Sequence, residues 1–301
     1  MRMRIVVAVA TCAVILLSGA KASAVTNGQP DGDRHPYVGL LEALDGNGVP
    51  LWVCTGALVS PTVVLTAGHC VEPPAARVEV WFDKGPIQPD LDYLIALFTD
   101  PSFDGSCNAS AAFEGYPCHG DAGGIPHPHP DFCVGCGTGL PHEVTRDVGV
   151  VELDAPVPAS VVGEYADLPA PGQVDTLPNK TAADLVGYGV RFQVQFPGKY
   201  LPEPTPYFRW AGAGERTYAP SELVSGNFAH GDEFMRFSVN GDNGSGGICF
   251  GDSGGPDLLG GTDTVLAVNS YVDNPNCSGV AYSQRVDVPE VRSWIAAFMR
   301  R

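Results

Sequence analysis

The stretch Gly251-Asp252-Ser253-Gly254-Gly255-Pro256 sets a serine among glycines near the end of a 301-residue chain. Its reading depends on two stretches upstream, Thr66-Ala67-Gly68-His69-Cys70 and Asp147-Val148-Gly149-Val150-Val151-Glu152-Leu153. A serine hydroxyl is a weak nucleophile near neutral pH and needs a base to take its proton. A histidine does this best when a buried carboxylate fixes its tautomer and stabilises the imidazolium. His69, Asp147 and Ser253, in that chain order, supply base, orienting carboxylate and nucleophile.

Blander readings are weaker. Gly251-x-Ser253-x-Gly255 also matches the strand-to-helix elbow of α/β-hydrolases, which places its acid and histidine after the serine. No histidine follows Ser253, and the chain lacks the alternation of strands and helices that such a sheet needs. Asp154 competes with Asp147, but it sits in an Asp-Ala-Pro turn, whereas Asp147 precedes an alternating apolar strand.

On these three motifs the chain resembles the chymotrypsin/trypsin family of serine proteases, as an exported, bacterial-type member, over roughly residues 25 to 299. The resemblance implies an all-β fold of two antiparallel six-stranded β-barrels with a C-terminal helix. His69 and Asp147 would belong to the first barrel and Ser253 to the second. Cys54 and Cys70 have the spacing of the family's histidine-loop disulfide, and Cys249 and Cys277 match the disulfide of its specificity pocket. The backbone N–H groups of Gly251 and Ser253 would form the oxyanion hole. Asp252 would pair with the terminal amine of Val25, because Val25-Thr26-Asn27-Gly28 resembles the family's mature terminus. Cleavage at another point with further trimming is the competing reading of that terminus.

The same resemblance makes Gly247 the pocket floor, beside Ile248, and Ser270-Tyr271-Val272 a pocket wall. An uncharged floor narrowed by Ile248 and Val272 implies a small or medium apolar P1 residue. A shifted register through the Gly-rich run Asn243 to Gly247 would bring Asp242 there instead.

The rest of the chain sets the context. Arg2 and Arg4, the apolar run Ile5 to Leu17 and Ala22-Ser23-Ala24 read as a signal peptide over residues 1–24, too short in its apolar part to span a bilayer comfortably. A secreted protein is expected, extracellular or periplasmic, with no membrane attachment after signal removal. The net charge of −17 argues against nucleic acid as a partner. A protein or peptide substrate, a monomer and no cofactor are expected. Cys12 leaves with the signal, and the even set of eight that remains reads as disulfides in an exported chain.

Short apolar runs separated by turn residues read as strands, from Leu51–Val53 to Val265–Tyr271. One helix is expected, at the C-terminus, with Pro289 in its first turn and Val291, Trp294, Ile295 and Phe298 on one face. The domains expected are an N-terminal barrel over 25–160 and a C-terminal barrel with its helix over 161–301, joined through the Pro-rich stretch Ala155 to Pro178. Residues 107–142 read as an insert holding Cys107, Cys118, Cys133, Cys136, His119, His127, His129 and His142. Disulfides in one of several pairings are favoured there over a zinc ion. A catalytically silent homologue acting as a secreted binding module is the alternative function.

Overall fold

The computed structural model describes residues 25–136, 144–190, 192–196, 207–226, 229–240 and 246–300. The expected signal peptide, His142, Asp242 and Asn243 lie outside the described residues. After a two-residue strand β1 (Gln29–Pro30), six strands build the first unit. They are β2 (Val38–Leu44), β3 (Pro50–Ser60), β4 (Val63–Thr66), β5 (Arg77–Trp81), β6 (Ala122–Pro128) and β7 (Gly149–Leu153). They close into an antiparallel barrel in the order β2-β3-β4-β7-β6-β5. Val63, Val64, Leu65, Val150 and Val151 are fully buried, with alternate side chains on the two faces of the barrel wall. β-branched side chains of this kind suit a pleated, packed surface.

Two readings of this half need correction. Strand β6 lies inside the expected 107–142 insert and bonds to both β5 and β7, so it is barrel wall. Its sequence, Ala-Gly-Gly-Ile-Pro-His-Pro, carries no strand signal, since proline removes a ladder donor. Pairing with its neighbours, Pro126 opposite Val151 and His127 opposite Val150, overrides that local preference. The additional chain is therefore split into one segment before β6 and another after it. The segment before β6 contains a helix missed in the sequence, α1 (Leu91–Thr99). Asp90 caps it by accepting the Tyr93 N–H at 2.8 Å. Its apolar residues run all round the helix, with Leu91 and Phe98 70% and 80% exposed, so no single inward face marked it.

The second unit contains β8 (Ala182–Gly187), β11 (Thr217–Glu222), β12 (Phe234–Ser238), β13 (Pro256–Leu259), β14 (Val265–Val272) and β15 (Val280–Arg285). Between β8 and β11, β9 (Phe192–Phe196) and β10 (Tyr207–Ala211) form a separate two-stranded sheet. The large sheet runs β1-β11-β8-β13-β14-β15-β12, seven strands in place of a closed six. β1 adds the seventh by pairing Gln29 with Tyr218. A bridge between Leu223 and Phe237 draws β11 towards β12, and the sheet curls into a half-barrel. The connection over 154–181 carries no strand.

The last element is α2 (Pro289–Phe298), with Val291, Ile295 and Phe298 buried as its spacing predicts. It packs into the same hydrophobic cluster as the first barrel, which also takes in Tyr188 and Leu258 from the second unit. The two halves thereby share one hydrophobic cluster.

Candidate active site

His69 sits on a single 3-10 turn, Gly68–Cys70, just after β4. The disulfide Cys54–Cys70 ties that turn to β3. Asp147 stands two residues before Gly149, the start of β7, and is 1% exposed. Strands β4 and β7 are antiparallel neighbours with Thr66 opposite Gly149, so the two side chains arrive at the same barrel end. Asp147 Oδ1 accepts the His69 backbone N–H at 2.9 Å, and its Oδ2 lies 2.9 Å from His69 Nδ1. The Asp147 N–H donates to Gln284 Oε1 at 2.9 Å, and the Ser270 hydroxyl donates to Asp147 Oδ2. Burial by itself would push Asp147 up, but the His69 charge and these hydrogen bonds hold its carboxyl below the ordinary value. Burial pulls His69 the other way, and the Asp147 charge and hydrogen bond more than offset it, leaving the imidazole above its ordinary value.

Ser253 follows a tight turn in which Asp252 N–H donates to Cys249 C=O and Gly255 N–H to Asp252 C=O. Its own carbonyl accepts the Thr55 N–H at 2.8 Å, one residue from the Cys54 that anchors the His69 turn. Gly254 has φ +77°, and a Cβ there would lie 2.6 Å from Thr55 O and 2.7 Å from Ala67 N. Only glycine lets the serine turn press this closely on the histidine turn. Gly251 has φ +96°, and a Cβ there would come within 2.9 Å of Gly189 Cα. No hydrogen bond joins Ser253 Oγ to His69 among the described residues. Such bonds are often long before substrate arrives.

The other expected site residues fall less evenly. Ser270 turns its hydroxyl onto Asp147. Ile248 is buried in the second hydrophobic cluster, and Val272 packs against the same cluster. Tyr271 stacks on Tyr282, ring centroids 4.7 Å apart. Gly247 forms an antiparallel bridge with Thr26, and a Cβ on it would meet Val239. Val25 and Asp252 are not bonded to each other here. Val25 N–H donates to Thr217 Oγ1 at 2.8 Å. Asp252 accepts from Gly189 N–H at 2.8 Å and Cys249 N–H at 2.9 Å. With residue 24 still attached, Val25 has an amide and no charged amine to offer. Burial raises the Asp252 carboxyl to about 8, against the two backbone donors that lower it.

The insert cysteines pair as Cys107–Cys118 and Cys133–Cys136, and the pocket pair as Cys249–Cys277. His127 and His129 turn towards α2, with rings 5.0 Å from Phe298 and 4.9 Å from Trp294. Gln284, Thr55 and the hydroxyl role of Ser270 were missed in the sequence. Their partners at the site are 123 or more residues away along the chain, and no local spacing marks them. Among the described residues no helix is long and apolar enough to cross a membrane.

Comparison with known proteins agrees with this architecture. Residues 26–92 match the family model described as Trypsin. A solved structure of HL collagenase superposes with a TM-score of 0.57 at 17% identity, covering 89% of this chain and 94% of that one. Human heparin binding protein gives 0.54 at 16% identity, covering 91% of this chain and 96% of that one. At such identities the likeness is one of fold. No curated protein matches the sequence significantly.

Proposed function

We propose that this chain, whose residues 26–92 match the family model described as Trypsin and whose fold is similar to that of HL collagenase, is a secreted serine endopeptidase. The observation that carries this reading is the double hold of Asp147 on His69, beside a serine turn fastened to the same strand. It fixes Nδ1 as the proton-bearing nitrogen facing the carboxylate and leaves Nε2 as the basic one. Ser253 Oγ attacks the scissile carbonyl as Nε2 takes its proton. The Gly251 and Ser253 N–H groups receive the oxyanion, each such donor contributing roughly 2.7–4 kcal/mol in the transition state. His69 then protonates the leaving amine, and water releases the acyl group by the reverse sequence.

Signal removal at Ala24 would free the Val25 amine for Asp252, a buried carboxylate with no cation in the described structure. The uncharged Gly247 favours a small or medium apolar residue at P1. Labelling of Ser253 by a serine-directed phosphonate, together with hydrolysis of peptide substrates, tests the reading. Absence of both would remove it.

One other reading is a catalytically silent binding module. A structural neighbour is named for binding heparin. A net charge of −17 opposes a polyanion as the ligand of this chain. Retention on immobilised heparin, combined with no phosphonate labelling, is the result that would select it.

A further inference from the structure

Two adjoining cavities run from the site across the outer face of the first barrel. The first, about 420 Å³, is bordered by Gly251 and Phe250 of the serine turn, Val53 of β3, and Ile87, Pro89 and Tyr116 of the segment before β6. The second, about 270 Å³, shares Val53, Pro89 and Tyr116 with it and ends at Glu42 of β2. Neither is lined by Gly247, Ile248, Ser270, Tyr271 or Val272, the residues assigned to the acyl side.

The backbone supplies the scale. Thr55 holds the Ser253 carbonyl, and its hydroxyl donates to the Gly251 carbonyl at 2.9 Å. Val53 lies two residues earlier on the same strand, hence on the same face and about 7 Å away. Glu42 is the cross-strand partner of Val53. An extended peptide advances about 3.3 Å per residue, so its second residue beyond the scissile bond reaches the first cavity. Its next residue reaches Glu42.

Glu42 gives the second cavity a charge requirement. It is 3% exposed, and burial raises its carboxyl to about 8, with Tyr116 opposing the rise. Its cross-strand neighbour Glu79 takes an ion pair from Arg77 and an N–H from Gly120. No Lys or Arg pairs with Glu42 among the described residues. A buried carboxyl of this kind beside a cavity, without a cation of its own, ionises when a ligand brings a cationic side chain against it, and so favours such a ligand over a neutral one.

We propose that this groove receives the leaving-group side of a peptide substrate and selects an apolar residue at the second position after the scissile bond, followed at the third by a lysine or arginine that pairs with Glu42. The proposal rests on the endopeptidase reading for its direction of binding. Its walls come from the chain's own added segment, through Ile87, Pro89 and Tyr116.

Two measurements separate the groove from the activity. In cleavage-site profiling on a peptide library, the wild-type protein should enrich Lys or Arg at that position at least fivefold over Gln, and Glu42→Gln should abolish the enrichment. In calorimetry on Ser253→Ala, a short peptide beginning Leu-Leu-Lys should bind at least tenfold tighter than Leu-Leu-Gln. Peptide cleavage with no basic enrichment overturns the groove and leaves the endopeptidase reading standing. A Lys preference in binding without any cleavage keeps the groove and removes that reading. Equal binding of the two peptides overturns the groove whether or not Glu42→Gln folds.

Discussion

Asp147 grips His69 at two points, taking its backbone N–H on Oδ1 and facing its Nδ1 with Oδ2, both at 2.9 Å. The carboxylate therefore sets the position of the residue as well as the tautomer of its ring. Because that charge holds the imidazole above its ordinary value of 6.5, more alkaline solution is needed to leave His69 neutral. kcat/KM should rise with pH through a midpoint above 6.5. Asp147→Asn should lower kcat by about 10⁴ and move the midpoint down. A midpoint unchanged by Asp147→Asn would falsify the coupling.

Ser253→Ala and His69→Ala should each lower peptidase activity by roughly 10⁴ to 10⁶ in proteins that still fold. Nucleophile and base act as one unit, so the double variant should be little worse than either single one. Additive losses, measured as kcat/KM on one substrate, would mean that the two residues work separately.

The parts of the fold legible in the sequence were those with local signals. Val63–Thr66 and the apolar run after Asp147 read as strands through alternation and β-branching, and Pro289 marked the start of α2. Strand β6 was illegible because its sequence disfavours a strand, and only β5 and β7 make it one. Helix α1 was illegible because four of its apolar residues face solvent and blur the period. At the site, the pairing of His69 with Asp147 was readable from motifs. The Ser270 hydroxyl on Asp147 was not legible, since a side chain's direction at a β-bulge between Asn269 and Tyr271 is not written in its spacing.

Ser270→Ala removes the hydroxyl that donates to Asp147 Oδ2. A hydrogen bond to a charged group contributes about 1.5–3 kcal/mol, so kcat/KM should fall roughly tenfold to a hundredfold. The Asp147 carboxylate would be less stabilised and less firmly aimed. A loss confined to KM, with kcat untouched, would instead give Ser270 a role in the pocket wall.

Asp252 links processing to stability. Its carboxyl is raised by burial to about 8 in the chain that still carries residue 24. A carboxyl raised above its unfolded value weakens the fold as pH climbs from about 4 through 8. The unprocessed chain should thus lose stability across that window, and Asp252→Asn should flatten the loss. With Val25 freed, the amine supplies a counter-charge and the window should close. N-terminal sequencing of active protein should begin at Val25. Full activity in a form extended by several residues would break the link between Val25 and Asp252.

The P1 preference is the most exposed expectation, because residues 241–245 beside Gly247 lie outside the described structure. Gly247 itself brings no charge, and its backbone is engaged by Thr26 through N–H and C=O. A buried Arg or Lys at P1 would lose hydration without gaining an ion pair from this residue. Substrates differing only at P1 should therefore favour Ala, Val or Leu over Arg and Lys by at least tenfold, or about 1.4 kcal/mol. A preference for Arg or Lys would place an acid in the pocket. Asp242→Asn is then the variant to measure, and reversal of the preference in it would identify Asp242 as that acid.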